Sequence, residues 1–197
     1  GEIIHIKKSE FDHGGTRNRA AAMCDGDIIV LLTQDAIPAD EYLLENLTKP
    51  FEDPEVCAVY GRQMADWKDN PVEAYTRTFN YPKESRIKSK EDLPVLGIKT
   101  FFCSNVCAAY RKSVYDAMGG FPLHTIFNED MIFASRLIEA GKKIAYAADA
   151  KVWHWHNYGA VEQCKRNFDL AVSQVDYGGL FAAVKSESEG IRLVKTT

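Results

Sequence analysis

An acidic residue follows the most apolar run of the sequence. Asp35 ends the segment Thr33-Gln34-Asp35, which comes directly after Ile28–Leu32. Ligands of open α/β sheets bind beyond the carboxyl ends of strands. A carboxylate there could hold Mg²⁺ or Mn²⁺, which prefer oxygen ligands. The alternative is a turn-forming Asp before Ile37-Pro38.

A pair of acids, Glu129 and Asp130, begins a strongly amphipathic segment that predicts a helix over Asn128–Ala140. Acidic side chains in a first helical turn are favoured by the helix dipole, which is a sufficient structural reason for the pair. A carboxylate at a helix start is also well placed as a general base. The sequence leaves both interpretations open.

Two histidines, His154 and His156, alternate along the end of a predicted strand. Alternation directs both side chains to the same face of the strand. Imidazole is a common metal ligand, so the two could share a metal ion. The alternative is a structural histidine pair.

The loop His13–Asn18 contains two glycines and leads into a predicted helix. A helix N-terminus presents backbone N–H groups to anions. Arg17 could bind a phosphate through two hydrogen bonds. A solvated surface charge is the alternative for Arg17.

The order of the elements around these residues predicts an α/β sheet with parallel strands. We expect a short strand at Ile3–Ile6, a helix over Arg17–Cys24 and a strand buried on both faces at Ile28–Leu32. The segment 66–98 carries many charges and several prolines. It predicts a mobile insertion with some helix around Glu73–Phe79.

The composition indicates one globular domain. The chain has 197 residues, of which 46% are hydrophobic and 26% charged, and its net charge is −4. This charge excludes the basic footprint of a nucleic-acid-binding protein. The five cysteines are odd in number and form no CxxC pair, which favours reduced thiols in the cytosol. No apolar run approaches the ~20 residues that a membrane span needs.

In order along the chain, these motifs resemble the family-two glycosyltransferases, whose fold is called GT-A. The resemblance runs from Phe11 to Asp169. It rests on motifs in the family's order: Arg17-Asn18, Gly26, Ile28–Leu32, Thr33-Gln34-Asp35, Ser104-Asn105, Gly119-Gly120-Phe121, Glu129-Asp130 and Val152-Trp153-His154. The short segments TQDA, GRQ and SNV are similar to those of bacterial rhamnosyltransferase-like members, which act in surface polysaccharide assembly.

The resemblance implies a Rossmann-like nucleotide-diphospho-sugar transferase fold with a mixed sheet flanked by helices. We expect residues 1–197 to form a single glycosyltransferase domain that is incomplete at its N-terminus. The implied reaction is inverting transfer of a sugar from a nucleotide-sugar donor to a glycan or lipid-linked acceptor, with Mg²⁺ or Mn²⁺. The implied location is the cytoplasm, with peripheral association at the inner face of the membrane.

The resemblance also implies a role for individual residues. Asp130 matches the catalytic base, and Glu129 lies beside it. The remaining roles are donor binding by Arg17, Asn18, Gln34 and Asp35, metal binding by Asp35, His154 and His156, and sugar-acceptor binding by Asn105, Gly120 and Trp155.

This sequence departs from the family pattern where Thr33 replaces the first Asp of the DxD motif. One carboxylate of the metal site is thereby lost, and His154 or His156 is expected to compensate. Asn167 stands where the QxxRW motif of processive synthases has Trp, so processivity is not expected.

Two other functions stay open: a non-catalytic carbohydrate-binding or scaffold module, and a metal-dependent hydrolase using the two histidines.

Overall fold

The computed structural model describes residues 2–66, 68, 71–156 and 158–179, which build a six-stranded sheet flanked by helices. The strands are β1 (Ile28–Leu32), β2 (Ile37–Pro38), β3 (Val56–Met64), β4 (Arg86–Lys88), β5 (Cys107–Arg111) and β6 (Lys143–Trp153). The helices are α1 (His13–Ala22), α2 (Leu43–Thr48), α3 (Pro71–Asn80), α4 (Leu93–Leu96), α5 (Lys112–Ala117), α6 (Glu129–Glu139) and α7 (Ala160–Asp176). No described helix has both the length and the apolar composition needed to cross a bilayer.

The sheet is mixed. Its strand order is β1-β5-β3-β6-β2, and β4 also pairs with β6. Strand β5 runs antiparallel to both β1 and β3, whereas β3 and β6 are parallel. The mixed sheet implied by the resemblance is therefore confirmed, and the parallel strands predicted from element order are found for β3 and β6 but not for β5. Element order does not determine which strands become neighbours, and β5 inserts between β1 and β3 from a distant part of the chain.

One face of strand β1 is partly exposed, which contradicts the prediction that the strand is buried on both faces. Val30 is 38% exposed and Leu32 is 45% exposed. Within the described residues β1 pairs only with β5. Apolar composition reports the hydrophobicity of a strand, but it does not show whether another element covers each of its faces.

An aromatic core lies between the sheet and α6. Four buried aromatic rings contact one another there, with centroids 5.1–5.8 Å apart. They belong to Tyr110 in β5, Tyr115 in α5, Phe121 in the turn that follows α5, and Phe133 in α6. Full burial of one such side chain stabilises the fold by about 1.5–3 kcal/mol. This cluster therefore anchors the start of α6, where the acidic pair lies.

Helix α1 begins at His13, four residues before the predicted start. Asp12 caps it, because one carboxylate oxygen accepts a hydrogen bond from the Gly15 N–H at 2.5 Å. The other oxygen accepts from the His124 N–H at 2.9 Å. A Cβ at Gly14 would lie 1.9 Å from the carbonyl oxygen of Pro122. The glycine of this loop therefore allows α1 to pack directly against the chain before α6.

Other predicted elements differ from the structure in detail. Residues 3–6 form no strand. In the segment 66–98, α3 covers the helix expected around Glu73–Phe79, and β4 joins the sheet beside β6. The mobility of this segment stays a prediction.

Candidate active site

The acidic pair Glu129 and Asp130 lies in the first turn of α6, and Asn105 contacts both acids. The Asn105 backbone N–H donates to Asp130 Oδ2 at 3.0 Å, and its side-chain amide donates to Glu129 Oε1 at 3.0 Å. Asn105 is itself fixed by the Tyr110 hydroxyl, which donates to Asn105 Oδ1 at 2.8 Å. The buried Asn105 side chain thus positions both acids, and its predicted contact with an acceptor sugar stays a prediction.

The two carboxylates have different environments. Glu129 is 5% exposed and forms an ion pair with Arg17, with 3.1 Å between Nη1 and Oε1. Asp130 retains some exposed surface, and its Oδ1 accepts a hydrogen bond from the Met131 N–H at 2.8 Å. Of the two acidic residues, Asp130 is therefore the more exposed.

The surroundings of Asp130 favour proton uptake. Dense packing around the carboxyl, followed by the charge of Glu129, raises the pKa of Asp130 well above its ordinary value of 3.8. The N–H groups of Asn105 and Met131 and the charge of Arg17 offset part of this rise. A general base works best when its pKa lies near the working pH, so the rise suits Asp130 to that task.

A second group of polar side chains joins Asp35, His154 and His156. Asp35 Oδ2 lies 3.5 Å from His154 Nε2 and 3.8 Å from His156 Nε2. One potential ligand atom from each residue lies within 4.8 Å of the others. His154 follows the end of β6, where its N–H donates to the Met64 carbonyl at 2.9 Å. The two histidines therefore point to the same side, as the alternation predicts.

The charge states of this group suit a divalent cation. Burial, together with the charge of Arg77, lowers the pKa of His154 from 6.5 to about 4, so its imidazole is neutral near neutral pH. Burial raises the pKa of Asp35, but the Thr33 hydroxyl and the two imidazoles lower it more, and the net pKa lies below 3.8. An ionised carboxylate and a neutral imidazole are the ligand forms that metal binding requires. The residues present therefore fit a divalent cation, and its identity as Mg²⁺ or Mn²⁺ stays a prediction.

Gln63, near the end of β3, connects the two groups. Its side chain is 2% exposed, and its Oε1 lies 2.9 Å from His154 Nδ1. Its Nε2 donates to the Ser104 hydroxyl at 2.8 Å. Ser104 precedes Asn105, which holds both acids. The sequence predicted no role for Gln63, whose only signal is the segment Gly61-Arg62-Gln63.

Two residues predicted to bind the donor make other contacts in the structure. The Arg17 guanidinium donates to the His13 carbonyl at 3.0 Å and pairs with Glu129. The Asn18 amide donates to the Phe121 carbonyl at 2.9 Å, and its oxygen accepts from the Phe121 N–H at 2.9 Å. These contacts position α1 against the turn before α6, and donor binding by both residues stays a prediction.

Gly120 belongs to the same turn. Its φ is +68°, and a Cβ there would lie 2.5 Å from Asn18 Oδ1. Its neighbour Gly119 has φ +75°, but a Cβ there would meet no atom within 4 Å. The structure therefore gives Gly120 a packing role, and its predicted contact with a sugar stays a prediction.

The two glycines give a matched test of this packing. We expect Gly119→Ala to lower the free energy of unfolding by about 1–2 kcal/mol, the cost of a left-handed backbone with a Cβ. Gly120→Ala should lose roughly 1–3 kcal/mol more, because Asn18 must leave its hydrogen bonds. Urea unfolding of both variants measures the difference. Equal losses would show that Asn18 does not depend on Gly120.

The remaining predicted residues lie around the histidine group. Gln34 is exposed, directly before Asp35. Trp155 lies between the two histidines in the sequence, and its side chain is half-buried. It packs edge-on against Trp153, with ring centroids 6.5 Å apart. His156 stacks on Tyr158 at 4.7 Å. Tyr158 thus contacts the group formed by Asp35 and the histidines, whereas the acceptor contact of Trp155 stays a prediction.

Comparison with solved structures identifies the class of fold. A mannosyltransferase from Pyrobaculum calidifontis, solved in complex with GDP-Man and Mn²⁺, matches with a TM-score of 0.50 and 19% sequence identity. The match covers 70% of this chain and 34% of that one. The fold is the GT-A fold of nucleotide-diphospho-sugar transferases.

Comparison of sequences then identifies the family. Residues 1–119 match the model of glycosyl transferase family 2, and the chain belongs to that family. It is 48% identical over 202 residues to the O-antigen chain rhamnosyltransferase WbaN of Salmonella anatum. It is 46% identical over 202 residues to the O-antigen chain rhamnosyltransferase RfbN of Salmonella typhimurium. Each alignment covers 98% of this chain, and the chain spans 62% of each relative's length.

Proposed function

We propose that this chain carries the catalytic groups of an inverting glycosyltransferase that assembles a surface polysaccharide. The donor is a nucleotide-diphosphate sugar, and the sugar is rhamnose or another hexose. The acceptor is a glycan or a lipid-linked saccharide. The observation that carries this proposal is the continuous path from Asp35 and His154, through Gln63 and Ser104, to the acids at the start of α6.

The relatives support the choice of donor and product. Two of them are named O-antigen chain rhamnosyltransferases and align with nearly all of this chain. The mannosyltransferase of the same fold was solved with a nucleotide sugar and Mn²⁺. Together they favour a nucleotide-sugar donor and a polysaccharide product for this protein.

Asp130 takes the proton in the proposed reaction. It accepts the proton of an acceptor hydroxyl as that oxygen forms a bond to the anomeric carbon of the donor. The bond from this carbon to the diphosphate oxygen breaks on the opposite face, and the nucleoside diphosphate leaves. Direct displacement of this kind inverts the anomeric configuration. General-base assistance contributes about 10²–10⁴-fold to such a rate.

Asp35, His154 and His156 would hold the divalent cation. A bound Mg²⁺ or Mn²⁺ supplies positive charge that stabilises the leaving diphosphate. Because Thr33 replaces the first acid of the DxD motif, the imidazoles would provide ligands that a second carboxylate would otherwise supply. Nitrogen ligands favour Mn²⁺ over Mg²⁺ at such a site.

A donor screen tests the proposed function. The full-length gene product is incubated with Mn²⁺ or Mg²⁺ and a panel of nucleoside-diphosphate sugars, and the released nucleoside diphosphate is measured. We expect one donor to be consumed only when metal is present. A carbohydrate-binding module would consume no donor, and a metal hydrolase would require no nucleotide. Either of those results would contradict the proposal.

The elevated pKa of Asp130 predicts an unusual pH dependence. The base must be ionised, so kcat should fall as the pH drops through the raised pKa of Asp130, about tenfold per pH unit. The fall should begin well above the ordinary carboxyl pKa of 3.8. The measurement is kcat at saturating donor across the acidic to neutral range. Mn²⁺ binding over the same range is the control, because loss of metal also lowers the rate. A flat profile with metal bound would exclude Asp130 as the base.

We further propose that the protein works in the cytoplasm, with peripheral association at the inner face of the membrane. A nucleotide-sugar donor is a cytoplasmic metabolite, and a lipid-linked acceptor lies in the membrane. The relatives that support this location are bacterial O-antigen enzymes. Fractionation of cells that express the full-length protein tests it. Recovery in the periplasm or the medium would contradict it.

A further inference from the structure

The orientation of the Gln63 amide is fixed by a neighbour that can only donate hydrogen bonds. Arg77 Nη1 donates to Gln63 Oε1. A guanidinium has no acceptor, so the amide atom that faces it must be the carbonyl oxygen. Arg77 therefore removes the ambiguity between oxygen and nitrogen that an amide side chain otherwise has.

Other contacts keep both side chains in place. Arg77 Nη2 donates to Glu73 Oε1 at 2.8 Å, one turn earlier on α3. The Gln63 amide nitrogen donates to the hydroxyls of Tyr81 at 2.6 Å and Ser104 at 2.8 Å. Both hydrogens of this buried amide are thus used, and its oxygen is shared between Arg77 and His154.

This orientation determines which nitrogen of His154 carries hydrogen. His154 Nδ1 lies 2.9 Å from Gln63 Oε1, an atom that only accepts. Nδ1 must therefore be the donor. In the neutral ring the lone pair then lies on Nε2, 3.5 Å from Asp35 Oδ2. Two acceptors face each other across this gap, which is the arrangement that a shared cation stabilises.

We propose that Gln63 and Arg77 are positioning residues that set the tautomer of His154 and aim its Nε2 lone pair at a divalent cation shared with Asp35. In this role both residues act through His154 and supply no ligand to the metal. Partners of this kind orient metal-bound histidines, and their loss lowers metal affinity by about 10–100-fold. The inference rests on the proposed metal-dependent function, which it deepens.

The tautomer can be observed directly in the metal-free wild-type chain. Nitrogen NMR of isotope-labelled histidine distinguishes a protonated ring nitrogen from a bare one, and His154→Ala identifies the resonances. We expect hydrogen on Nδ1 and a bare Nε2 near neutral pH. Hydrogen on Nε2, in the neutral ring or as an imidazolium paired with Asp35, would overturn the proposal. This measurement needs no variant of Gln63 or Arg77 to fold.

Mn²⁺ titration of variants tests the same inference by affinity. Gln63→Met removes the acceptor for Nδ1, and Arg77→Met frees the amide to turn, so each should weaken Mn²⁺ binding about tenfold or more. Gln63→Glu keeps an acceptor and should stay within about threefold of wild type. Arg86→Met is the matched control, because Arg86 pairs with Asp92 on the exposed surface. Unchanged affinity in folded Gln63→Met and Arg77→Met, checked by thermal melts, would overturn the inference.

These readouts separate the inference from the proposed function. If the chain binds Mn²⁺ through the expected tautomer but the full-length protein transfers no sugar, the proposed function fails and the positioning role stands. If transfer occurs while His154 carries hydrogen on Nε2, the positioning role fails and the proposed function stands.

Discussion

Replacing Asp130 with Asn is expected to lower kcat for sugar transfer by about 10²–10⁴-fold, the usual contribution of a general base. Donor affinity should change little, because the proposed donor contacts lie elsewhere. Asn retains the size of the side chain but cannot take a proton. The measurement is nucleoside diphosphate release by the full-length protein at saturating donor, together with calorimetric titration of donor and Mn²⁺.

Asp116→Asn is the matched control for this variant. Asp116 is an exposed carboxylate on α5 that pairs with Lys112 at 2.7 Å. Its replacement changes charge by the same amount without touching the site, so the rate should match wild type. Wild-type-like turnover in Asp130→Asn would exclude Asp130 as the base. Loss of donor binding along with turnover would indicate that the substitution damages the site as a whole.

Removing a metal ligand is the second large effect that we expect. His154→Ala should weaken Mn²⁺ binding by about 10²-fold or more, because loss of a ligand exceeds the 10–100-fold cost of losing an outer partner. Asp35→Ala should do the same. Metal-dependent donor binding and sugar transfer should fall in parallel, since the cation stabilises the diphosphate. Isothermal titration of Mn²⁺, followed by donor, measures both steps.

His5→Ala is the control for the histidine variant, because His5 is exposed. Its metal affinity should equal that of wild type. Transfer rates that resist both chelation and His154→Ala would show that the reaction requires no metal. In that case the group formed by Asp35, His154 and His156 would have another purpose.

Local patterns in the sequence predicted the elements that carry the site. The amphipathic segment that begins at Asn128 becomes α6, with Glu129 and Asp130 in its first turn. Alternation predicted that His154 and His156 share a side, and both face Asp35 in the structure. These predictions depend on neighbours within one element, which are visible in the sequence.

The parts that the sequence did not predict depend on distant pairs. Gln63 contacts His154 across 91 positions and Ser104 across 41, and no local pattern encodes either contact. Asn18 pairs with Phe121 across 103 positions, so a residue that resembled a donor contact also positions a turn. The pairing of β1 with β5 has the same origin, because β5 reaches β1 from far along the chain.

The central claim is that one metal-dependent site uses Asp130 as its base. The most direct test is transfer of sugar by the full-length protein with its identified donor and acceptor, measured with Mn²⁺ or EDTA for wild type and Asp130→Asn. We predict product only from wild type with Mn²⁺, with inverted anomeric configuration. Equal transfer by Asp130→Asn, or undiminished transfer by wild type in EDTA, would contradict the claim.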